Sequence, residues 1–178
     1  DLRVVLEAAD ARAVAGARVD FASGAPVEAL LGLVAADVGM YPNYPASGVT
    51  SLALLDDALV SYLHGRDAFN EDNDGSSSEM RPVVLGDIFH STPRIVAAPT
   101  TMFLNQPGYR TFYQNHVGRD RVIYAGANDG MLHAFDAGTL TAGDDPFTPE
   151  TESQYYTAGS GSELFGYVPG LLLNKVKM

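Results

Sequence analysis

Two short apolar runs close on a turn in VIYAGANDGMLHAFDAGT (Val122–Thr139), and no other stretch of the chain restricts the fold as tightly. Val, Ile and Tyr before the turn, and Leu, Ala and Phe after it, suit a pleated, half-buried surface. Between them Asn128-Asp129-Gly130 supplies residues that tolerate positive φ, so the runs are predicted to form a β-hairpin. After Gly130, alternation puts Met131, His133 and Phe135 on one face and Leu132 and Ala134 on the other. The same stretch sets Asn, Asp and His close together, which raises a catalytic alternative. A hydrolytic site needs a nucleophile with a positioned base, and no nearby residue completes one. Asn128 and Asp129 are therefore read as turn residues, and His133 as a packed histidine with a hydrogen-bond partner.

A hairpin needs neighbours, because two strands alone bury too little apolar surface. STPRIVAAP (Ser91–Pro99) and SELFGYVP (Ser162–Pro169) are further short strand-like runs bounded by Pro, Gly and Ser. With RVIYAGAN and GMLHAFDA they make four strands, the content of one propeller blade. No second copy of the unit is found in the chain. A lone blade leaves strand edges exposed, so residues 81–178 are expected to be unstable in isolation and the chain to be a segment of a longer product.

The first part of the chain reads differently. RVVLEA and ARVDFAS, within residues 1–24, are weak strands. PVEALLGLVAADVG (26–39) predicts a helix, with Pro26 in its first turn and Leu30, Leu31, Val34 and Val38 on one stripe. YPNYPASG ends it. A second helix is expected from about Ser51 to His64. Thr50 or Ser51 is its N-cap, Leu52, Leu55, Leu59, Tyr62 and Leu63 recur at three and four, and Gly65 closes it. Residues 67–80, DAFNEDNDGSSSEM, are polar and acidic and mark the internal boundary. The predicted class is mixed: a mainly helical segment (1–66), an acidic loop (67–80), and one four-stranded antiparallel blade of a β-propeller (81–178), the fragment of a larger propeller.

Composition removes several function classes. Eleven basic against 22 acidic residues give a net charge of −11. Nucleic-acid grooves and anionic lipid surfaces both demand clustered Lys and Arg, so neither partner is expected. The absence of cysteine rules out disulfides, thiol catalysis and Cys-ligated zinc. No run of about 18 apolar residues is present to span a bilayer, and DLRVVLEAAD lacks the basic and apolar regions of a signal peptide.

Taken in order, RPVVLGDIFHSTPRIVAAP (Arg81–Pro99), RVIYAGANDGMLHAFDAGT (Arg121–Thr139) and GSELFGYVPGLLL (Gly161–Leu173) resemble the start of the C-terminal β-propeller of the PilC/PilY family. These are type IV pilus tip-associated adhesins and biogenesis factors of Gram-negative bacteria. The family pattern reads LGDI-x-HSTP, then VYVGANDGMLHAFD, then G-x-ELWAYVP. YLHGRD (Tyr62–Asp67) is similar to the family's YLRG segment, whereas the first 50 residues match loosely. Phe165 stands where the family has Trp, which keeps an aromatic plug. The family's calcium loop lies further along its propeller and maps onto no residue here. The resemblance implies a non-enzymatic protein of the cell surface, at the pilus tip or outer membrane. It would act in adhesion, twitching motility and pilus assembly, antagonising retraction. Its partners would be minor pilins at the tip, a host or surface receptor, and the rest of its own propeller.

Three further constellations carry groups with chemistry of their own. The acidic loop partly follows the calcium-loop spacing D-x-[DN]-x-[DN]-G, with Asn70, Asp72 and Asp74 at positions 1, 3 and 5 and Gly75 at 6. Position 12 is Arg81 instead of a bidentate carboxylate, and Glu79 falls two residues early. A solvated loop is the ordinary reading; the sharper one is a weak calcium site at Asn70, Asp72, Asp74 and Glu79. In LGDIFHSTP, Asp87, His90 and Ser91 suggest a triad, but working triads are assembled from separated segments. His90 to Pro93 is read as the entry to a strand, with Asp87 bonded to backbone or to Arg81. TAGSGSELFGYVPG has no phosphate-loop pattern and reads as a flexible turn before an outer strand, with Tyr155, Tyr156, Phe165 and Tyr167 packed or in an aromatic patch. Two other functions share such hairpins: a quinone-dependent dehydrogenase propeller, whose blades carry Trp motifs that this chain lacks, and a purely structural scaffold blade.

Overall fold

Ser51 starts the main helix of the protein: its Oγ accepts the N–H of Leu54 at 3.3 Å, as an N-cap does. The helix, α1 (Leu52–Leu63), stops at His64, and Gly65 follows at φ 88°, a left-handed turn that glycine adopts without strain. Both ends lie where the caps predict. The computed structural model describes residues 4–6, 31–40 and 48–175. Besides α1 these form β1 (Val4–Leu6), a 3-10 turn at Ala35–Gly39, β2 (Arg94–Val96), a 3-10 turn at Thr101–Phe103, α2 (Tyr109–His116), β3 (Val122–Gly126), β4 (Leu132–Asp136), β5 (Leu140–Ala142), β6 (Gln154–Tyr156), β7 (Glu163–Val168) and a 3-10 segment at Gly170–Lys175. Among the described residues the class is mixed: the α-helices α1 and α2, antiparallel strands in the order β7-β4-β3-β2, and a separate pair β5-β6. None of the described helices is long and apolar enough to cross a membrane.

Contacts divide the chain into two units, Asp1–Phe89 with Ala127–Leu132 and Phe165–Met178, and His90–Gly126 with His133–Leu164. The first unit holds the apolar core. α1 buries Leu55, Leu59 and Leu63 against Leu31, Phe69, Met131, Val168 and Leu173. Burying each such side chain contributes about 1.5–3 kcal/mol. β1 runs parallel to β7, Val4 opposite Gly166 and Leu6 opposite Val168, which places the predicted RVVLEA strand. The second predicted strand, ARVDFAS, lies outside the described residues. The helix predicted over 26–39 is corrected in its described part. Leu31 is helical, but Gly32 takes φ 63°, and a short 3-10 turn replaces the rest. Asp37 starts that turn afresh by accepting the N–H of Val34 at 2.8 Å. Leu31 is fully buried, while Val34, on the same predicted stripe, is exposed.

The second unit is built on strands. β2 lies antiparallel to β3, Arg94 opposite Tyr124 and Val96 opposite Val122. β5 and β6 pair in the same sense, Leu140 opposite Tyr156. Sequence reading missed this second pair, because the acidic stretch between its strands hides two runs of only three residues. It also missed α2, which begins at Gly108, left-handed at φ 79°, and buries none of its residues. Tyr155 and Tyr156, expected to pack or to join an aromatic patch, lie in β6. There the Tyr156 hydroxyl accepts the N–H of Ala98 at 2.8 Å, and the Arg121 guanidinium stacks over its ring at 4.9 Å.

Candidate functional site

The acidic loop is closed at its neck. The N–H of Asp67 donates to the carbonyl of Glu79 at 2.9 Å, and the N–H of Arg81 donates to that of Gly65 at 2.9 Å. Ala68 and Phe69 dip into the core and pin the loop from below. Inside the loop the carboxylates organise the backbone. Asp67, nearly fully buried, accepts from the N–H of Glu71 at 2.9 Å. Asn70 and Asn73 adopt left-handed φ of 51° and 60°, conformations that Asn tolerates better than most residues. Asn70 Oδ1 accepts from Gly75 N at 3.1 Å, Asp72 Oδ1 from Asp74 N at 3.2 Å, and Asp74 Oδ1 from Ser76 N at 2.7 Å. Glu79 Oε2 accepts from Ser78 N at 3.1 Å and from the Ser76 hydroxyl, while its Oε1 is buried without a partner.

Three carboxylates converge here. Asp67, Asp72 and Glu79 each place one oxygen within 4.8 Å of the others. Such a set suits a hard cation, since calcium takes oxygen ligands only and wants about six to eight of them. Of the residues singled out by spacing, Asp72 and Glu79 are in this group. Asn70 is turned inward on the loop backbone, and Asp74 is exposed beyond the group. Asp67 was missed because it falls outside the calcium-loop register. The signal for it is the closure of the loop between Gly65 and Arg81, which brings Asp67 back to Glu79.

The motif residues that resemble catalytic groups are engaged in holding backbone. In the first unit Asp129 accepts from Met131 N at 2.9 Å through Oδ1, and from Gly86 N at 2.9 Å through Oδ2. A Cβ on Gly86 would stand 2.7 Å from the backbone N of Asp129, so only glycine lets the LGD and NDG segments meet. The main-chain carbonyl of Asp87 accepts from Asn128 N at 3.0 Å, and the Arg81 guanidinium donates to the Tyr62 carbonyl at 3.1 Å. In the second unit Ser91 Oγ accepts from Gly126 N at 3.1 Å. His133 is buried with Nδ1 2.6 Å from Glu163 Oε1, and its ring stacks with that of Phe135, as the predicted shared face requires.

A second clamp lies further along the hairpin. Asp136 Oδ2 accepts from the N–H and the hydroxyl of Ser160, at 2.8 and 2.7 Å, and Oδ1 accepts from Gly138 N at 3.0 Å. These donors, the Ser160 N–H above all, stabilise the carboxylate and hold its pKa below the usual 3.8. Arg121 Nε donates to the carbonyl of Ala137 at 2.7 Å. Gly138, at φ 120°, comes so near Thr157 that a Cβ would lie 1.9 Å from its carbonyl oxygen. The Ser160–Asp136 and Arg121–Ala137 bonds and the approach of Gly138 to Thr157 join segments that the sequence separates, whereas the Gly138–Asp136 bond is local.

No family model matches the chain, and no solved structure matches it significantly. Curated proteins do. A type IV pilus biogenesis factor PilY1 homolog of Xylella fastidiosa (strain Temecula1) is 33% identical over 135 residues, 72% of this chain and 9% of the relative. The type IV pilus biogenesis factor PilY1 of Pseudomonas aeruginosa (strain PAK) is 32% identical over 124 residues, 66% of this chain and 8% of the relative. That of strain UCBPP-PA14 is 42% identical over 65 residues, 33% of this chain and 6% of the relative. The chain thus spans 6% to 9% of the length of these curated relatives. With 66% to 72% of its residues aligned to PilY1 relatives of two organisms, at 31–33% identity, the chain belongs to the PilY family.

Proposed function

We propose that this chain serves type IV pilus biogenesis as part of a cell-surface factor at the pilus tip, acting in adhesion and assembly without catalysing a reaction. The alignment with PilY1 relatives carries this reading. The strands β2, β3, β4 and β7, short and joined through a tight turn at Gly130, support the further reading that they form a propeller blade. The non-enzymatic reading is supported by what the polar motif residues do: Ser91, Asp129 and His133 are each spent on a structural bond. The reading is tested by deleting the gene in its own bacterium and counting surface pili and attached cells. Loss of piliation and attachment, restored by the gene in trans, is expected; unchanged pili overturn it.

The acidic loop is proposed as a calcium site, held by Asp67, Asp72 and Glu79. The buried, unpartnered Oε1 of Glu79 supports this, since a cation would relieve a carboxylate oxygen that nothing else satisfies. Calorimetric titration of the full chain should show saturable calcium heat that Glu79→Gln removes. No heat at millimolar calcium rejects the site.

A further inference from the structure

A cavity of about 550 Å³ opens in the first unit, between the end of α1, the segment Arg81–Asp87 and the hairpin turn. Its volume falls in the range of small-ligand pockets, about 300–1,000 Å³. Leu63 and Met131 supply buried apolar lining, and Val84 and Leu85 extend it. The polar groups are unusual for so acidic a chain. The Arg81 guanidinium lies over the Tyr62 ring, 3.7 Å from its centre, and Nη2 donates to the Tyr62 carbonyl at 3.1 Å. Beyond these two contacts with Tyr62 the Arg81 side chain makes no hydrogen bond or ion pair among the described residues, and its Nε is buried without an acceptor. A cation half-withdrawn from water with unspent donors is costly unless an anion completes it. Lys175 lines the same cavity, exposed, and so does the exposed Asn128.

The acids of the cavity narrow the choice of anion. Asp129 accepts from two backbone N–H groups, and Asp87 is exposed at the same wall. Two carboxylates beside the two cations disfavour a polyanion such as a nucleotide. They suit a single carboxylate whose neighbouring N–H groups can be accepted by Asp87. An apolar wall beside the guanidinium asks for an apolar residue next to that carboxylate. We propose that this cavity binds a peptide carboxylate, from a C-terminus or from an acidic side chain, with Arg81 as its fork and Lys175 and Asn128 as secondary donors. The proposal does not rest on the calcium reading of the acidic loop, whose neck Arg81 closes through its backbone N–H, nor on the pilus reading.

The test titrates the full chain with three probes and follows the Arg81 Nε–H resonance by NMR. The probes are acetyl-Leu-Phe with a free carboxylate, its carboxamide, and acetyl-Leu-Glu-amide. The free acid should give saturable shifts and bind about tenfold more tightly than the carboxamide, the size expected for one charge-assisted contact. Binding of the third probe at the strength of the first assigns the site to acidic side chains; its failure beside a binding first probe assigns it to C-termini. Arg81→Met should weaken the acid about tenfold while leaving the carboxamide unchanged. Lys175→Gln, on an exposed residue, should weaken it by a smaller factor and serves if Arg81→Met does not fold. Equal binding of acid and carboxamide, or no saturable shift with any probe at 10 mM, overturns the proposal.

Discussion

The two units of this protein are held by different forces. In the first, leucines of α1 meet Leu31, Phe69 and Val168 in a dry cluster. In the second, the buried described residues are small or polar, Ala125, Ala134, His133 and Gly138 among them, while Ile95, Met102 and Phe147 face outward. What orders the second unit is hydrogen bonding and close backbone approach: the Asp136 clamp, the Arg121 bonds, the His133–Glu163 contact and the Gly138–Thr157 contact. Apolar burial tolerates small shifts, because it is non-directional and scales with area. Backbone clamps do not, because a hydrogen bond weakens steeply with angle.

The contrast can be broken or sharpened by mutation. Leu59→Ala removes a residue 1% exposed at the centre of the α1 stripe and should cost about 3 kcal/mol in urea unfolding. Hydrogen exchange should show the loss in first-unit amides; an equal loss throughout breaks the comparison. Gly138→Ala forces a Cβ against the Thr157 carbonyl and should cost about 2 kcal/mol, read in second-unit amides, even though one methyl is added and no apolar contact is lost. A neutral result there denies that close approach orders this unit. Glu163→Ala strips the buried His133 of its Nδ1 partner and should cost about 1–2 kcal/mol. Last comes a pH effect. The Asp136 pKa is depressed in the folded state, so its stabilisation is present above the usual 3.8 and is lost as the pH falls through the lower folded value. Asp136→Asn should therefore flatten the acid limb of stability measured below pH 4. An unchanged limb removes Asp136 from the account.

Much of this organisation is legible in the chain. The hairpin at Gly130, the β2 and β7 runs, and α1 with its Ser51 cap and Gly65 exit are local patterns. The β5-β6 pair was not legible, because strands of three residues carry too little alternation to rise above the acidic stretch between them. Nor was the break at Gly32: Leu31, Val34 and Val38 keep a helical spacing that the backbone declines to follow. At the candidate site, spacing found Asp72 and Glu79 but not Asp67, whose nearness to Glu79 depends on where the loop closes.

The amino-acid sequence alone therefore determined the elements whose cause lies within a few residues: periodicity for α1, alternation for the hairpin strands, positive φ for the turn glycines. It also carried the family, because motif identity survives without coordinates. Only the tertiary structure decided which distant groups meet: Gly86 against Asp129, Gly138 against Thr157, Asp67 beside Glu79, and Arg81 over Tyr62. The physical reason is that such contacts rest on distance through space, set by packing across the whole unit, and local backbone preference contains no term for it.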